Sequence, residues 1–366
     1  MAIHRLKLVS VRNHKEKEFD FSPGVTVIWG ENGSGKTAVL EAINTLSFGK
    51  SFKTHRQREL INTEKKELFI WGEFFSNGQE DRVAAKVSEI SGQVIKLNGK
   101  NIYSRKELLG RNVVVVLSPE EQDITKGPPA ERRSFFDRVF SVVFPEYLRT
   151  LQNYTRTLKQ RNAALLQLRD NTITEEDLET WAKPLSLSGL KLWQMRDRFM
   201  ADFCTLLASI VQQYDSEIKM EILYSAPVQD EEQYLKIIAK KIRQDILQGR
   251  TGYGPHRDDM ELNWSGKNIK SFGSQGEHKL CLILLKLVEL FFIKEKTGTS
   301  PTLLLDDLFA KLDLERSKKI VHLLQELESS SGEPVQTIVT TTDLLNVEHS
   351  GLMSASPDHC TYHLER

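Results

Sequence analysis

Residues Val25–Thr37 read VTVIWGENGSGKT, and this stretch decides the fold. Its first five residues form an apolar run, as is typical of a strand that is covered on both faces. The rest, Gly30–Thr37, fits the pattern GxxxxGK[ST] of a phosphate-binding loop. Apolar residues follow at helical spacing, at Val39, Leu40, Ile43 and Leu46. The stretch therefore predicts a strand, a phosphate loop and a helix in the order that P-loop proteins require.

Each residue type in the loop has a chemical reason to be there. Glycines allow backbone N–H groups to close around a phosphate, and the start of the following helix adds positive dipole. Lys36 is predicted to neutralise the β- and γ-phosphate oxygens of ATP, and Thr37 to ligate Mg²⁺ through its hydroxyl. The predicted nucleotide-binding residues here are Gly30, Glu31, Asn32, Gly33, Ser34, Gly35, Lys36 and Thr37. The alternative, a glycine-rich turn that happens to precede a lysine, is disfavoured by the strand and helix around it.

A second apolar strand, within Pro301–Asp307, ends in two acids. P-loop enzymes hold their magnesium ion at such a strand end, so Asp306 is predicted to be a metal ligand. Asp307 stands where a general base or water-positioning acid would, and we predict Lys36, Asp306 and Asp307 to be the catalytic residues. By themselves, two acids at a strand end could equally be solvated surface groups. The phosphate loop upstream favours the functional interpretation.

Between these motifs, Ser271–His278 precedes a long apolar helix. Ser274 and Gly276 offer a hydroxyl and free backbone N–H groups to an anion. The alternative is an ordinary capping box, because Ser274 and Glu277 also have that spacing. Phosphate loop, helical insert, SxG helix, acidic strand and Leu312-Asp313 follow the plan of the ABC-type ATPases. In that class the SxG helix faces the partner's nucleotide, so an ATP-dependent homodimer is expected.

Composition narrows the class of protein. The chain has 366 residues, with 50 basic and 50 acidic residues and hence zero formal net charge. Any polyanion must then be held by a local patch rather than by a global field. The start of the chain lacks a secretory signal pattern and no stretch of 18 apolar residues occurs, so a cytoplasmic location is expected. The three cysteines form no CxxC pair, which suggests neither a zinc site nor a disulfide framework.

The order of predicted elements indicates an α/β protein with an antiparallel β subdomain and an inserted helical lobe. The antiparallel strands are expected before residue 100, with a hairpin turn at Asn98-Gly99. We predict that 1–130 is the N-terminal part of an ATPase lobe and 131–248 the helical insertion. Residues 249–366 are then the C-terminal part of the ATPase lobe, with the SxG helix, the acidic strand and the loop at Leu312-Asp313.

Several basic clusters are candidate DNA contacts, although such clusters are usually solvated helix faces. They are Lys50, Lys53, Arg56 and Arg58; Lys65 and Lys66; Arg149, Arg156, Lys159 and Arg161; and Lys236, Lys240, Lys241 and Arg243. Residues Gly254–Asp258 could touch nucleotide or DNA, or form a tight loop that re-enters the ATPase core, and we favour the structural interpretation.

At this point the sequence resembles a known family, the RecF proteins, which are bacterial recombination and repair ATPases related to the SMC proteins. The resemblance covers nearly the whole chain. Besides the phosphate loop and Ser274–Gly276, it is carried by Val11–Asn13, Ser51–Thr54, Ser118–Glu120, Gly127–Arg133, Gly254–Asp258 and Thr340–Asp343.

The resemblance implies ATP-driven dimerisation on single-stranded, gapped or duplex DNA, with slow hydrolysis releasing the protein. It also implies the partners RecO and RecR, support of RecA loading and a role in the SOS response. Arg12 is expected, by the same resemblance, to approach the phosphates or adenine. Glu277 departs from the glutamine that relatives often have, and threonines stand where transport ATPases carry a switch histidine. With the short side chain of Asp307, these features motivate a weak, DNA-stimulated ATPase that acts as a switch.

Two other functions remain open. A transport ATPase subunit is disfavoured by the missing switch histidine. An SMC-like DNA-organising or nuclease-coupled ATPase would need long coiled-coil arms, and the stretch between Gly127 and Gly249 is too short to hold them.

Overall fold

A computed structural model describes residues 2–76, 78–308, 314–331, 335–355 and 358–365, with the backbone alone for 327–331 and 355. Packing divides the chain into two compact units. The first unit comprises Met1–Gln122, Gln213–Asp215 and Leu282–Arg366, and the second unit comprises Asp123–Gln212 and Ser216–Cys281.

The elements are numbered in chain order. The strands are β1 Ala2–Val11, β2 His14–Asp20, β3 Val25–Trp29, β4 Glu67–Ser76, β5 Gln79–Ser88, β6 Gly92–Leu97, β7 Lys100–Ile102, β8 Val114–Leu117, β9 Met220–Leu223, β10 Glu261–Trp264, β11 Lys267–Asn268, β12 Thr302–Asp306, β13 Thr337–Thr341 and β14 His359–His363. The α-helices are α1 Lys36–Phe48, α2 Asp123–Lys126, α3 Pro129–Val143, α4 Pro145–Arg169, α5 Glu175–Glu179, α6 Ala182–Tyr214, α7 Glu231–Gln248, α8 Ile269–Phe272, α9 Gln275–Thr297, α10 Leu314–Ser331, α11 Leu344–His349 and α12 Leu352–Ala355.

A parallel sheet lies at the centre of the first unit, in the strand order β14-β3-β13-β12-β8. Strands β8, β12 and β13 are buried along their whole length, as is typical of strands covered on both faces. Asp306 at the end of β12 is in register with Thr340 on β13, which in turn is in register with Ile28 on β3. The carboxyl ends of these strands therefore meet at one edge of the sheet, where α/β proteins bind their ligands.

A second sheet in the same unit has the strand order β2-β1-β4-β5-β6-β7, and each neighbouring pair is antiparallel. The predicted antiparallel β subdomain is thus confirmed. The turn at Asn98 and Gly99 has φ values of 49° and 80°, the left-handed conformations that a two-residue hairpin of this kind requires. Helix α1 is buried along nearly its whole length and is capped by Gly35 and Gly49, both of which have positive φ.

The second unit is built from helices and a small sheet. Strands β11, β10 and β9 pair antiparallel. The aromatic side chains of Phe136, Phe140 and Phe203 lie in its core. Helix α4 ends before Asn171, whose φ of 57° is left-handed.

The boundaries of the two compact units differ from the predicted domain boundaries. The prediction assigned 249–281 to the ATPase lobe, whereas the contacts place this segment in the second unit, which begins at Asp123 rather than at 131. The physical reason is a set of interactions inside the second unit: Arg132 binds Asp259 through two hydrogen bonds of 2.7 and 2.8 Å, and β10 pairs with β9. The assignment of functional lobes stays a prediction.

Among the described residues, no helix has the length and apolar character needed to cross a membrane.

Candidate functional site: a phosphate loop beside an acidic strand end

The predicted phosphate loop connects β3 to α1 and depends on glycine for its shape. Gly30, Gly33 and Gly35 have φ values of 151°, 85° and 94°. A Cβ atom on Gly30 would lie 2.2 Å from the backbone oxygen of Leu364, and one on Gly35 would lie 2.3 Å from the Asn13 Oδ1 atom. Both the backbone conformation and the close approach of neighbours therefore require glycine.

Side chains from the turn between β1 and β2 form hydrogen bonds with the backbone of the phosphate loop. The Asn13 side chain donates to the Gly33 carbonyl at 3.1 Å, and the His14 Nε2 atom donates to the Gly35 carbonyl at 3.0 Å. Burial lowers the pKa of His14, so its imidazole is neutral at pH 7. Reasoning from the sequence did not assign this role to Asn13 and His14. The only signal for it was that Val11–Asn13 belongs to the residues that carry the family resemblance.

Lys36 is buried at the start of α1, with 8% of its surface exposed. Its Nζ atom donates to the carbonyls of Gly30 at 2.7 Å and of Glu31 at 2.8 Å. Burial lowers the pKa of Lys36, while the nearby charges of Asp307 and Asp306 act in the opposite direction. The ammonium group is thus fixed inside the loop, beside both predicted acids.

Thr37 and Asp306 are 269 positions apart in sequence and are in direct contact. The Thr37 hydroxyl lies 2.9 Å from Asp306 Oδ1 and 3.1 Å from Oδ2. Thr340, on the strand between β3 and β12, donates its hydroxyl to Asp306 Oδ1 at 2.6 Å. Burial raises the pKa of Asp306, and the hydrogen bonds from Thr340 and Thr37 oppose that shift. Thr340 therefore orients the predicted metal ligand.

Asp307 follows in a left-handed conformation, with φ at 52°. Its backbone N–H bonds to the Thr340 carbonyl at 3.0 Å and approaches the Thr340 hydroxyl at 3.2 Å. The turn places Asp307 on the wall of the same cleft as Lys36 and Asp306.

These residues fit ATP and Mg²⁺. The Ser34 hydroxyl oxygen is buried in the phosphate loop and has no hydrogen-bond partner within the described part of the chain. A phosphate oxygen would satisfy it. The Thr37 hydroxyl and the Asp306 carboxylate are oxygen ligands of the kind that Mg²⁺ prefers.

A cleft of about 890 Å³ joins these groups within the first unit. This size lies in the range of sites for small molecules and cofactors. Its walls include Arg12, Asn13, Asn32, Gly33, Gly35, Lys36, Thr37, Glu41, Lys53, Glu120, Asp306 and Asp307. The structure therefore brings Arg12 together with the phosphate loop and the acidic strand end, and its approach to the nucleotide stays a prediction.

Arg12 is already engaged on the wall of this cleft. Its Nε and Nη2 atoms donate to the two carboxylate oxygens of Glu41 at 3.1 and 3.0 Å, and Nη1 donates to the Glu59 carbonyl at 2.7 Å. Glu41 is 2% exposed and also accepts the Ser51 hydroxyl at 2.6 Å. Sequence reasoning did not single out Glu41, because a glutamate on a helix after the phosphate loop looks like any solvated acid.

Glu120 is a further acid that sequence reasoning left without a role. It follows β8, which runs parallel to β12, so both strands end at the same edge of the sheet. Lys53 lies 3.1 Å from the Glu120 carboxylate, and both residues line the cleft. Burial alone would raise the pKa of Glu120, but the hydrogen bond from Lys53 and further hydrogen bonds lower it overall. Lys53 is therefore one half of an ion pair at the cleft rather than an isolated cation.

Ser274 and Gly276 belong to the second unit, at the exposed start of α9. The Ser274 hydroxyl accepts the Glu277 N–H at 3.3 Å, and the Glu277 carboxylate accepts the Ser274 N–H at 2.7 Å. The capping-box alternative is thus present in the structure, and the predicted role toward a partner's nucleotide stays a prediction. Leu312-Asp313 lies outside the described residues.

The loop Gly254–Asp258 does not re-enter the first unit, and that part of the prediction is wrong. It lies within the second unit, where the Asp258 carboxylate accepts hydrogen bonds from Trp193, Arg196 and Tyr224 at 2.7 to 3.0 Å. The loop thus has buried structural contacts, and its preference for a structural role over contact with nucleotide or DNA stays a prediction.

One predicted DNA contact is also corrected. Arg161 is 1% exposed and donates to Asp245 at 2.8 Å and to Thr251 at 2.6 Å. It points into the second unit because helical periodicity places it on the face opposite to Arg156. Lys236 is exposed but lies 2.6 Å from Glu232.

The chain was also compared with known families and proteins. The model for the RecF/RecN/SMC N terminal domain matches residues 2–353. The DNA replication and repair protein RecF of Alkaliphilus oremlandii is 33% identical over 352 residues, which are 93% of this chain and 93% of that protein. The protein of the same name from an Exiguobacterium species is 34% identical over 370 residues, with 98% and 97% of the two chains covered.

Solved structures agree with these matches. The recombination mediator protein RecF with ATP, from the RecFOR pathway, superposes with a TM-score of 0.86 at 27% identity, over 99% of this chain and 95% of that one. The Smc head domain from Pyrococcus furiosus gives a TM-score of 0.57 at 19% identity, over 99% of this chain and 94% of that one, which shows a shared fold alone. The predicted fold class, an α/β P-loop protein of ABC/SMC head type, is confirmed.

Proposed function

Because the chain belongs to the RecF family, we propose that it is an ATP-dependent DNA-binding protein of DNA replication and recombinational repair. We propose that ATP drives two copies together on single-stranded, gapped or duplex DNA and that slow hydrolysis releases them. In this role the protein would act with RecO and RecR, support RecA loading and contribute to the SOS response.

The observation that carries this proposal is the contact of the Thr37 hydroxyl with Asp306, at 2.9 Å, at the mouth of a glycine-lined loop. Thr37 and Asp306 would hold Mg²⁺, and the backbone and Ser34 hydroxyl of the loop would hold the phosphates. Bound Mg²⁺ would neutralise phosphate charge. Lys36 adds a positive charge at the same place and Thr340 keeps the Asp306 carboxylate oriented.

Hydrolysis is expected to be slow. Asp307 is the acid available to orient a water molecule, and its side chain is one methylene shorter than that of a glutamate. Positions 340 and 341, at the end of β13, are threonines. This described strand end therefore supplies no imidazole to contact the γ-phosphate. Weak, DNA-stimulated turnover would make the protein a switch rather than a motor. A turnover on the order of 10² per second would contradict this.

The proposal is tested by measuring DNA binding with ATP, with ADP and without nucleotide. Wild type should bind single-stranded, duplex or gapped DNA more tightly with ATP, and Lys36→Ala should lose that increase because it loses the phosphate charge partner. Lys96→Ala, at an exposed lysine of the same unit that belongs to none of the candidate DNA clusters, is the matched control and should behave like wild type. DNA affinity that is indifferent to ATP and to Lys36→Ala would refute the mechanism.

Dimerisation needs a separate measurement. Ser274→Arg should bind ATP normally but stay monomeric, since the added side chain would block a helix start that faces a second copy. Ser216→Arg, at another exposed serine of the second unit, is its control. Light scattering with a non-hydrolysable ATP analogue decides the matter: a wild type that stays monomeric, with or without DNA, excludes the ATP-driven dimer.

A further inference from the structure

Helix α4 has an unusual charge distribution. The chain as a whole has equal numbers of acidic and basic residues, yet residues 147–169 contain no Asp or Glu. The same stretch carries Arg149, Arg156 and Lys159, all exposed, in addition to the buried Arg161 and the terminal Arg169. An acid-free stretch of this length is not expected of a merely solvated helix face, where charges of both signs alternate.

The three exposed cations share one side of the helix. At about 100° per residue, Arg149, Arg156 and Lys159 fall within an arc of about 80°. The side chains of Tyr147, Tyr154 and Leu165 are buried, and they lie on the other side. The cationic arc therefore points away from the core of the second unit.

Neutral hydrogen-bonding groups fill the space between the cations. Gln152, Asn153, Gln160 and Gln167 fall on the same side, and all are at least partly exposed. Amide groups on such a surface can donate to phosphate oxygens without adding charge. With α4 at 25 residues, this side of the helix is about 37 Å long, enough to follow several phosphates of a nucleic-acid strand.

Neighbouring acids do not neutralise the centre of this surface. Glu146, at the start of the helix, lies 2.6 Å from Lys191, and Asp170, past its end, lies 3.7 Å from Arg169. Arg156 and Lys159 form no ion pair with any described residue within 4.0 Å. By contrast, Arg161 of the same helix is fully paired inside the unit, so the sequence cluster divides into a structural part and an exposed part.

We propose that the outward side of α4, carrying Arg149, Arg156 and Lys159, is a contact surface for the phosphate backbone of DNA. The proposal rests on the DNA-binding function proposed above and names the surface that performs it. Phosphate contacts hold a protein on DNA without reading its sequence, so this surface should bind independently of sequence. Its contribution should weaken with salt, because each neutralised phosphate releases counterions.

The test compares two triple variants with the same change in charge. The variant of the surface is Arg149→Gln, Arg156→Gln, Lys159→Gln. Its control is Lys96→Gln, Lys100→Gln, Lys106→Gln, at exposed lysines of the first unit that belong to none of the candidate DNA clusters. DNA affinity is measured with ATP between 50 and 200 mM salt on two unrelated sequences, and nucleotide affinity and thermal unfolding are measured beside it.

The surface variant should bind DNA about tenfold more weakly or worse, and the slope of log K against log salt should become shallower by about 2 to 3. The control should keep most of the affinity and slope. A charge-keeping variant, Arg149→Lys with Arg156→Lys, should retain the slope. ATP binding and the unfolding midpoint should stay as in wild type, because all three side chains are exposed.

Two results would overturn the inference and leave the proposed function standing: a surface variant that binds like wild type, or a control that weakens as much. A wild type that binds no DNA in the presence of ATP would instead refute the proposed function itself.

Discussion

The replacement Glu41→Gln examines how Arg12 is held in the cleft. The Glu41 carboxylate is 2% exposed and accepts two hydrogen bonds from the guanidinium of Arg12, which is 30% exposed. Glutamine keeps the size of the side chain but removes its charge and turns an N–H₂ group toward another donor. A hydrogen bond to a charged group contributes roughly 1.5 to 3 kcal/mol. Because Arg12 can partly rehydrate, we expect the free energy of unfolding to fall by about 2 kcal/mol.

Urea unfolding followed by circular dichroism measures this change, and a double-mutant cycle with Arg12→Gln assigns it. Once Arg12 is gone, Glu41→Gln should change stability much less, giving a coupling energy of about 1 to 2 kcal/mol. Ser51→Ala is the comparison, since it removes one hydroxyl bond of 2.6 Å to the same carboxylate. The Ser51 oxygen also accepts the N–H groups of Lys53 and Thr54, so the change should lower stability by about 1 to 2 kcal/mol without affecting the coupling between Arg12 and Glu41. Additive effects of Arg12→Gln and Glu41→Gln, with coupling below about 0.5 kcal/mol, would refute the idea that Glu41 holds Arg12.

Two further predictions concern the second unit. Arg161→Ala should lower the free energy of unfolding by about 3 to 5 kcal/mol, because Asp245, 3% exposed, would be left as an uncompensated buried charge; a loss below about 1 kcal/mol in urea unfolding would contradict this. Burial lowers the pKa of His256 from its ordinary value of 6.5 to about 4. Between these two pH values the imidazole is neutral in the folded protein, whereas it takes up a proton in the unfolded chain. The stability that His256 contributes should therefore be present above pH 6.5 and disappear as the pH falls toward 4, by about 3 kcal/mol in all. His256→Gln should lack this part of the pH dependence of unfolding, and an unchanged profile would show that His256 is not its source.

The local sequence was sufficient to predict the strands, the loop and the helix that carry the candidate site. An apolar run, a glycine pattern and an apolar helix predicted β3, the loop and α1, because each of these depends on residues close together in the chain. The same holds for β12 with its terminal acids and for the hairpin at Asn98 and Gly99. The family, too, could be identified from motifs in their order.

Long-range packing decided the rest. The partner of Arg12 could not be deduced, because Glu41 comes close to Arg12 only when α1 packs beside the turn after β1. The donor to Asp306 could not be deduced either, because Thr340 comes close to Asp306 only when β13 pairs with β12. Helical periodicity places Arg161 and Arg156 on different sides of α4, but it does not tell which of the two is buried. The helices packed against α4 decide which side is covered.

By itself, the sequence determined that a glycine-rich turn with the pattern of a phosphate-binding loop lies between a strand and a helix, and that the chain belongs with the RecF proteins. It could do so because backbone conformation at glycine and the chemistry of Lys36 and Thr37 are local properties. Only the tertiary structure decided which charges are available to a ligand. A side chain's partners are set by strands and helices that are far apart in the chain, and burial decides whether a cation such as Arg161 stabilises the fold or, like Lys159, faces solvent.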